Sequence, residues 1–186
     1  LSDGMNLISN AAQSETLATS VPDNGGVYFV PALTGMGAPY WDQYARGAIL
    51  GITRGTTPAH ITRATLEGIA FQVYDILKAM EHDTQRPSTE MRVDGGAVAN
   101  NFLMQFQSDI CRTKVIRPKV LETTALGAAY LAGLATGFWR DSEDLRQQWS
   151  VDKEFNPEDT EEHSEKILHM WHKAVARAQA WEELGD

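Results

Sequence analysis

A single cysteine, Cys111, stands in a chain of 186 residues, so an internal disulfide is impossible and a reducing, cytoplasmic setting is the simpler expectation. Cations are scarce as well. Sixteen Lys and Arg against 25 Asp and Glu give a net charge of -9, which argues against nucleic acid, where binding rewards clustered positive charge through counterion release. No run approaches the ~18 apolar residues of a membrane span, and no charged-then-apolar signal segment opens the chain. Also missing are a Cys cluster, a His-Glu-x-x-His helix, a Gly-x-Ser-x-Gly elbow, the Gly-x-Gly-x-x-Gly fingerprint and the Gly-x4-Gly-Lys-Ser/Thr loop. His163, His169 and His172 lack the spacing of a helical metal pair, so no metal ligand is assigned.

What remains reads as one globular domain: 42% of residues are hydrophobic and 22% charged, and the length suffices for one sizeable core. The stretch that stands out is Met91 to Asn101. Val93 closes a short apolar run, Asp94-Gly95-Gly96 lets the main chain turn where a Cβ would not fit, and Asn100 or Asn101 opens the helix that continues to Ile110. A strand running through paired glycines into a helix start presents bare backbone N–H groups and a positive dipole end, which suits a phosphate-bearing ligand. A tight strand-to-helix connection accounts for the same local pattern, so the stretch alone does not decide between them.

The remaining chain is expected to hold this stretch in place. Residues 1–20 read as the tail of a helix, from apolar spacing at 1, 5, 8 and 12, and a chain opening on Leu1 suggests a piece of something longer. Val27–Pro31 and Gly47–Ile52 read as short strands, joined through a packed surface loop, Thr34–Asp42. Pro58 sits well in the first turn of a long helix from Ala59 to about Glu81, with Ile61, Leu66, Ile69, Val73, Ile76, Leu77 and Met80 as its buried stripe. Arg63 and Glu67, one turn apart, are expected as a surface ion pair contributing ~0.3 kcal/mol.

The run before Asp94 is expected as the central strand, and Thr113–Arg117 as another, ended by Pro118. Thr123-Thr124 cap the next helix, Ala125–Ala135, and Gly137 stops it; its many small residues imply close approach to a sheet. Residues 139–160 look like a polar surface excursion, and 161–184 a closing helix with Ile167, Trp171, Val175, Ala178, Trp181 and Leu184 on one face. The alternation of helix and strand predicts an α/β fold around a right-handed parallel crossover.

Together these stretches resemble the C-terminal half of the FGGY carbohydrate kinase family, which has the actin-like ATPase (ribonuclease H-like) fold. The likeness runs from about Asp3 to Glu183. Its most specific part is Gly47-Ala48-Ile49-Leu50-Gly51-Ile52, seven residues, then His60-Ile61-Thr62-Arg63-Ala64-Thr65-Leu66-Glu67, which satisfies the family signature at every fixed position. Val30–Asp42, Asp94–Asn101 and Thr124–Leu134 match the branch acting on glycerol.

The resemblance implies transfer of the ATP γ-phosphoryl to the terminal hydroxyl of glycerol, with Mg2+ bridging the phosphates. It implies one actin-like nucleotide-binding domain over residues 1–186, incomplete on its N-terminal side, in an enzyme that works as a homodimer or homotetramer. Carried over residue by residue, Gly96 touches the nucleotide, Asn100 hydrogen-bonds its adenosine part, and Asp94 and Gly95 shape that wall. The family's catalytic base, glycerol-binding residues and Mg2+-binding acid precede this region, so no catalytic or metal-binding residue is assigned, and the chain alone is expected to be inactive. Pro157–Ser164 departs from the pattern by which some members bind a regulatory partner, and it reads as a solvated acidic face. Two rivals remain: a kinase of the same family acting on another polyol or sugar, and a nucleotide-binding module without catalysis that uses exposed parts of the Trp171–Trp181 helix for partner contact.

Overall fold

The computed structural model describes residues 1–2 and 4–182. In order they form α1 (Gln13–Thr19), β1 (Tyr28–Val30), β2 (Ala48–Leu50), α2 (Pro58–Thr84), β3 (Glu90–Arg92), α3 (Asn101–Cys111), β4 (Lys114–Pro118), α4 (Thr123–Ala135), α5 (Ser142–Arg146), β5 (Val151–Phe155) and α6 (Glu161–Ala178). β1 and β2 make an antiparallel pair, with Phe29 opposite Ile49. The second sheet has the order β3-β4-β5: β3 runs parallel to β4, and β5 returns antiparallel with Val115 opposite Phe155. The strand before Asp94 is therefore an edge, not the centre; β4, buried at Val115 and Ile116, is the central strand. The stretch expected as a polar excursion contains α5 and β5, and β5 anchors itself through Phe155 alone, since Val151 to Glu154 stay exposed.

Helix α2 is the spine. Pro58 occupies its first turn, and Thr57 and His60 close the N-terminus with Thr57 Oγ1 2.8 Å from His60 Nδ1. α2 packs against α1, β1 and α3, and α3 packs in turn on β4 and β5. At the middle, the Phe71 ring stacks on Trp171 of α6 at 5.0 Å and meets Phe106 of α3 edge-on at 5.4 Å, so one aromatic side chain joins three helices.

The buried face of α2 is not the expected aliphatic stripe. Thr62, Ala64, Leu66, Glu67, Gly68, Ala70, Phe71 and Asp75 are buried, while Ile69, Ile76 and Met80 are exposed. Beside Leu66 and Phe71, small and polar residues face inward, because β1 approaches α2 closely. Gly68 shows how close. A Cβ there would overlap the Phe29 carbonyl oxygen of β1, so Gly68→Ala, which in an open helix gains about 1 kcal/mol, is expected to lose about 1–3 kcal/mol in urea denaturation.

Four other expectations change. Residues 4–12 make turns and bends rather than a helix: Asn6 adopts φ 52°, and Asn10 Oδ1 accepts from the Gln13 N–H at 3.1 Å, so the helix begins only at Gln13. Arg63 and Glu67 are not a surface pair, because Glu67 is only 4% exposed and takes Arg63 Nε at 2.8 Å and Asn24 Nδ2 at 2.7 Å. Arg63 also donates to the Val21 carbonyl at 2.7 Å, so the pair ties the segment after α1 to α2. Burial raises the Glu67 pKa, while hydrogen bonds from Arg63 and Asn24 oppose that shift. Helix α4 lies largely open to solvent rather than close on a sheet; Gly133, against the Trp139 ring, is its one fully buried residue.

Finally, α6 ends at Ala178. The main chain turns through Ala180, whose N–H donates to Asp42 at 2.8 Å, and Trp181 is left 69% exposed beyond the helix. Trp171 is buried, so its face is not open to a partner. Leu184, expected on that face, lies outside the described residues.

Candidate functional site

The glycine turn is built by pairing on both of its flanks. The Val93 N–H reaches the Ile116 carbonyl at 3.2 Å, one step past the end of β3, and the Gly95 N–H reaches the Leu121 carbonyl at 2.8 Å. Gly95 adopts φ 86°, ψ 171°, a conformation that side-chain-bearing residues rarely take. A single 3-10 turn, Gly96–Ala99, follows, and Arg117 Nη1 steadies it with a hydrogen bond to the Val98 carbonyl at 2.9 Å. The N–H groups of Gly96 and Ala97 have no partner among the described residues. Nothing lies within 4 Å of a Cβ built on Gly96.

Asn100 then caps α3, as its position in the sequence suggests: Oδ1 accepts from the Leu103 N–H at 2.9 Å. Its Nδ2 donates to Ser14 Oγ of α1 at 3.2 Å, which leaves one amide hydrogen for another acceptor. Asp94 is exposed and accepts a hydrogen bond from the Thr123 hydroxyl, so the turn is tied to the start of α4.

Between α1 and this turn lies a cavity of about 430 Å³. Gly96, Ala97, Ala99, Asn100 and Leu103 form one wall, Ala11, Ala12, Ser14 and Glu15 the other, and Leu66 and Ile69 of α2 close the floor. Two of the four site residues read from the sequence, Gly96 and Asn100, line this cavity. Asp94 and Gly95 sit in the adjoining turn and do not line it. The opposite wall was not read from the sequence at all, and no local signal marks it; its link to Asn100 spans 86 positions. A volume of this size, mostly apolar with a few polar groups at its edge, suits a flat heteroaromatic ligand.

Burial in the core pushes the Cys111 thiol up to about 11, which keeps it protonated and unreactive. Among the described residues no three His, Cys, Asp or Glu are placed to hold a metal ion, and no helix is long and apolar enough to cross a membrane.

The glycine turn, the capping asparagine and the alanine-lined slot lie together on the C-terminal domain of a carbohydrate-kinase fold. The chain belongs to the FGGY family of carbohydrate kinases: the model of that family's C-terminal domain matches residues 3–136. It is 68% identical to a glycerol kinase of Parabacteroides distasonis, over 98% of this chain and 37% of that protein. The fold is that of the actin-like ATPases. A crystal structure of Plasmodium falciparum glycerol kinase with ADP superposes with a TM-score of 0.82 at 36% identity, covering 96% of this chain and 35% of that one. A ligand-bound xylulose kinase of Lactobacillus acidophilus follows at 0.70 and 26%, over 94% of this chain and 35% of that one. The chain thus spans just over a third of the length of these relatives.

Proposed function

We propose that this chain is the ATP-side domain of a glycerol kinase, which phosphorylates glycerol to sn-glycerol 3-phosphate when joined to the region that carries the catalytic base. The observation that carries this reading is the open cavity walled by Gly96 and Asn100 in a chain 68% identical to a glycerol kinase. The cavity accepts the base and ribose of ATP. Gly95 and Gly96 let the backbone approach the ligand, and Asp94 and Thr123 hold the turn from behind. Phosphoryl transfer needs charge stabilisation from both sides of the γ-phosphoryl, and these residues supply only one side.

Mg2+ supplies charge neutralisation on the phosphates in such chemistry. The described residues do not form a cage for it. Asp94 is an exposed carboxylate engaged by Thr123, and no step is assigned to a metal on this chain. The working enzyme is read as a cytoplasmic homodimer or homotetramer.

The test is a coupled assay of the full-length gene product with ATP and glycerol, xylulose or gluconate. Glycerol-dependent ADP release is expected from the full-length protein, and none from the 186-residue chain alone. Turnover with xylulose or gluconate but not glycerol would move the protein to another branch of the family.

A further inference from the structure

Glu15 lines the slot together with Ser14 and Asn100, among residues that are otherwise small or aliphatic, and is the one charged residue there. Asn101 Nδ2 donates to its Oε1 at 3.1 Å, which fixes the orientation of the carboxylate. Its Oε2 has no hydrogen-bond partner, and no cation pairs with Glu15, among the described residues. A lone carboxylate oxygen accepts hydrogen bonds and offers none. It repels phosphate, so a nucleotide in this cavity is expected to direct its phosphates away from α1, with its base beside Ala11, Ala12, Ala97 and Ala99, which line the slot.

We propose that Glu15 is a base-selecting residue: its unpaired oxygen accepts a hydrogen bond from the exocyclic amino group of adenine and so disfavours 6-oxopurines, whose O6 is itself an acceptor. The proposal rests on the reading of this cavity as the nucleotide site. Asn101 gives it a specific consequence. In a Glu15→Gln variant the Asn101 amide still donates to the side-chain oxygen, so the new NH2 turns toward the cavity and offers a donor to O6.

The experiment is calorimetric binding of ADP, IDP and 2′-deoxy-ADP to the full-length gene product, as parent, Glu15→Gln and Glu15→Ala. The parent is expected to prefer ADP over IDP by about 10-fold or more, with 2′-deoxy-ADP close to ADP. Glu15→Gln is expected to shift the ADP/IDP ratio toward IDP by about 10-fold, and Glu15→Ala to weaken ADP and relieve the penalty on IDP so that the ratio falls toward one, at an unchanged urea midpoint. A ratio that stays constant in both variants overturns the proposal. So does a Glu15→Ala variant that loses a discrimination between ADP and 2′-deoxy-ADP shown by the parent, because the carboxylate would then be reading ribose. A parent that binds no nucleotide at all defeats the reading of the cavity itself, and the base-selecting role with it.

Discussion

Gly96→Phe is expected to abolish measurable ADP binding, a loss of about 100-fold or more, while leaving the unfolding midpoint close to that of the parent. The two halves of this result come from one geometric fact. Space is open around a Cβ on Gly96, and Gly96 does not have the positive φ that makes a substitution strained, so the folded backbone is expected to tolerate a side chain there. Gly96 lines the cavity where the base is proposed to lie, so a phenyl ring there is expected to compete with the base for that space. Gly95→Ala is the contrasting variant. At φ 86° it costs about 1–2 kcal/mol of stability through backbone strain but leaves the slot open, so its effect on affinity is expected to be the smaller of the two. Calorimetric titration with ADP, beside urea denaturation of both variants, separates the two effects.

The largest loss of stability is expected from Asp75→Ala. Asp75, 6% exposed in the middle of α2, accepts hydrogen bonds from Tyr40 Oη at 2.8 Å and Trp171 Nε1 at 2.8 Å, and its other oxygen lies 2.9 Å from His172 Nε2. One carboxylate therefore fastens the loop before β2 and helix α6 to the spine. Burial and the neighbouring Asp75 together push the Tyr40 phenol well above its ordinary pKa, as expected for a hydroxyl held as a donor. Removing the carboxylate leaves the Trp171 indole N–H buried with no acceptor and the Tyr40 hydroxyl half-buried without one. At about 1–3 kcal/mol for each stranded donor, the expected cost is roughly 2–5 kcal/mol, read as a lowered urea midpoint at unchanged slope. His172 is half exposed at its side chain and can turn to water, so His172→Ala is expected to cost under about 1 kcal/mol.

These two residues also mark where the sequence was readable and where it was not. The glycine turn and the Asn100 cap are local: residues a few positions apart determine them, and the chain places them as their chemistry suggests. The long helix was legible from Pro58 onward for the same reason. Its buried face was not, because hydrophobic periodicity assumes that apolar side chains mark the inside. Here the inside is set by close backbone approach at Gly68 and by polar groups whose partners, Asn24 for Glu67 and Trp171 for Asp75, lie 43 and 96 positions away.

Strand β5 was hidden by the same effect in reverse. Val-Asp-Lys-Glu-Phe carries one buried residue and four exposed ones, so nothing but its pairing with β4 identifies it as a strand. The second wall of the cavity, Ala11 to Glu15, follows an opening whose apolar spacing imitated a helix. Gly4, Asn6, Ser9 and Asn10 make turns there instead, and they deliver α1 to the face of Asn100.

That these two walls clasp a nucleotide is tested most directly by hydrogen–deuterium exchange on the full-length gene product with and without ADP. Slowed exchange is expected in peptides spanning 94–103 and 11–15, with little change in α6. Unaltered exchange in both peptides at saturating ADP, with protection appearing elsewhere in residues 1–186, would contradict it.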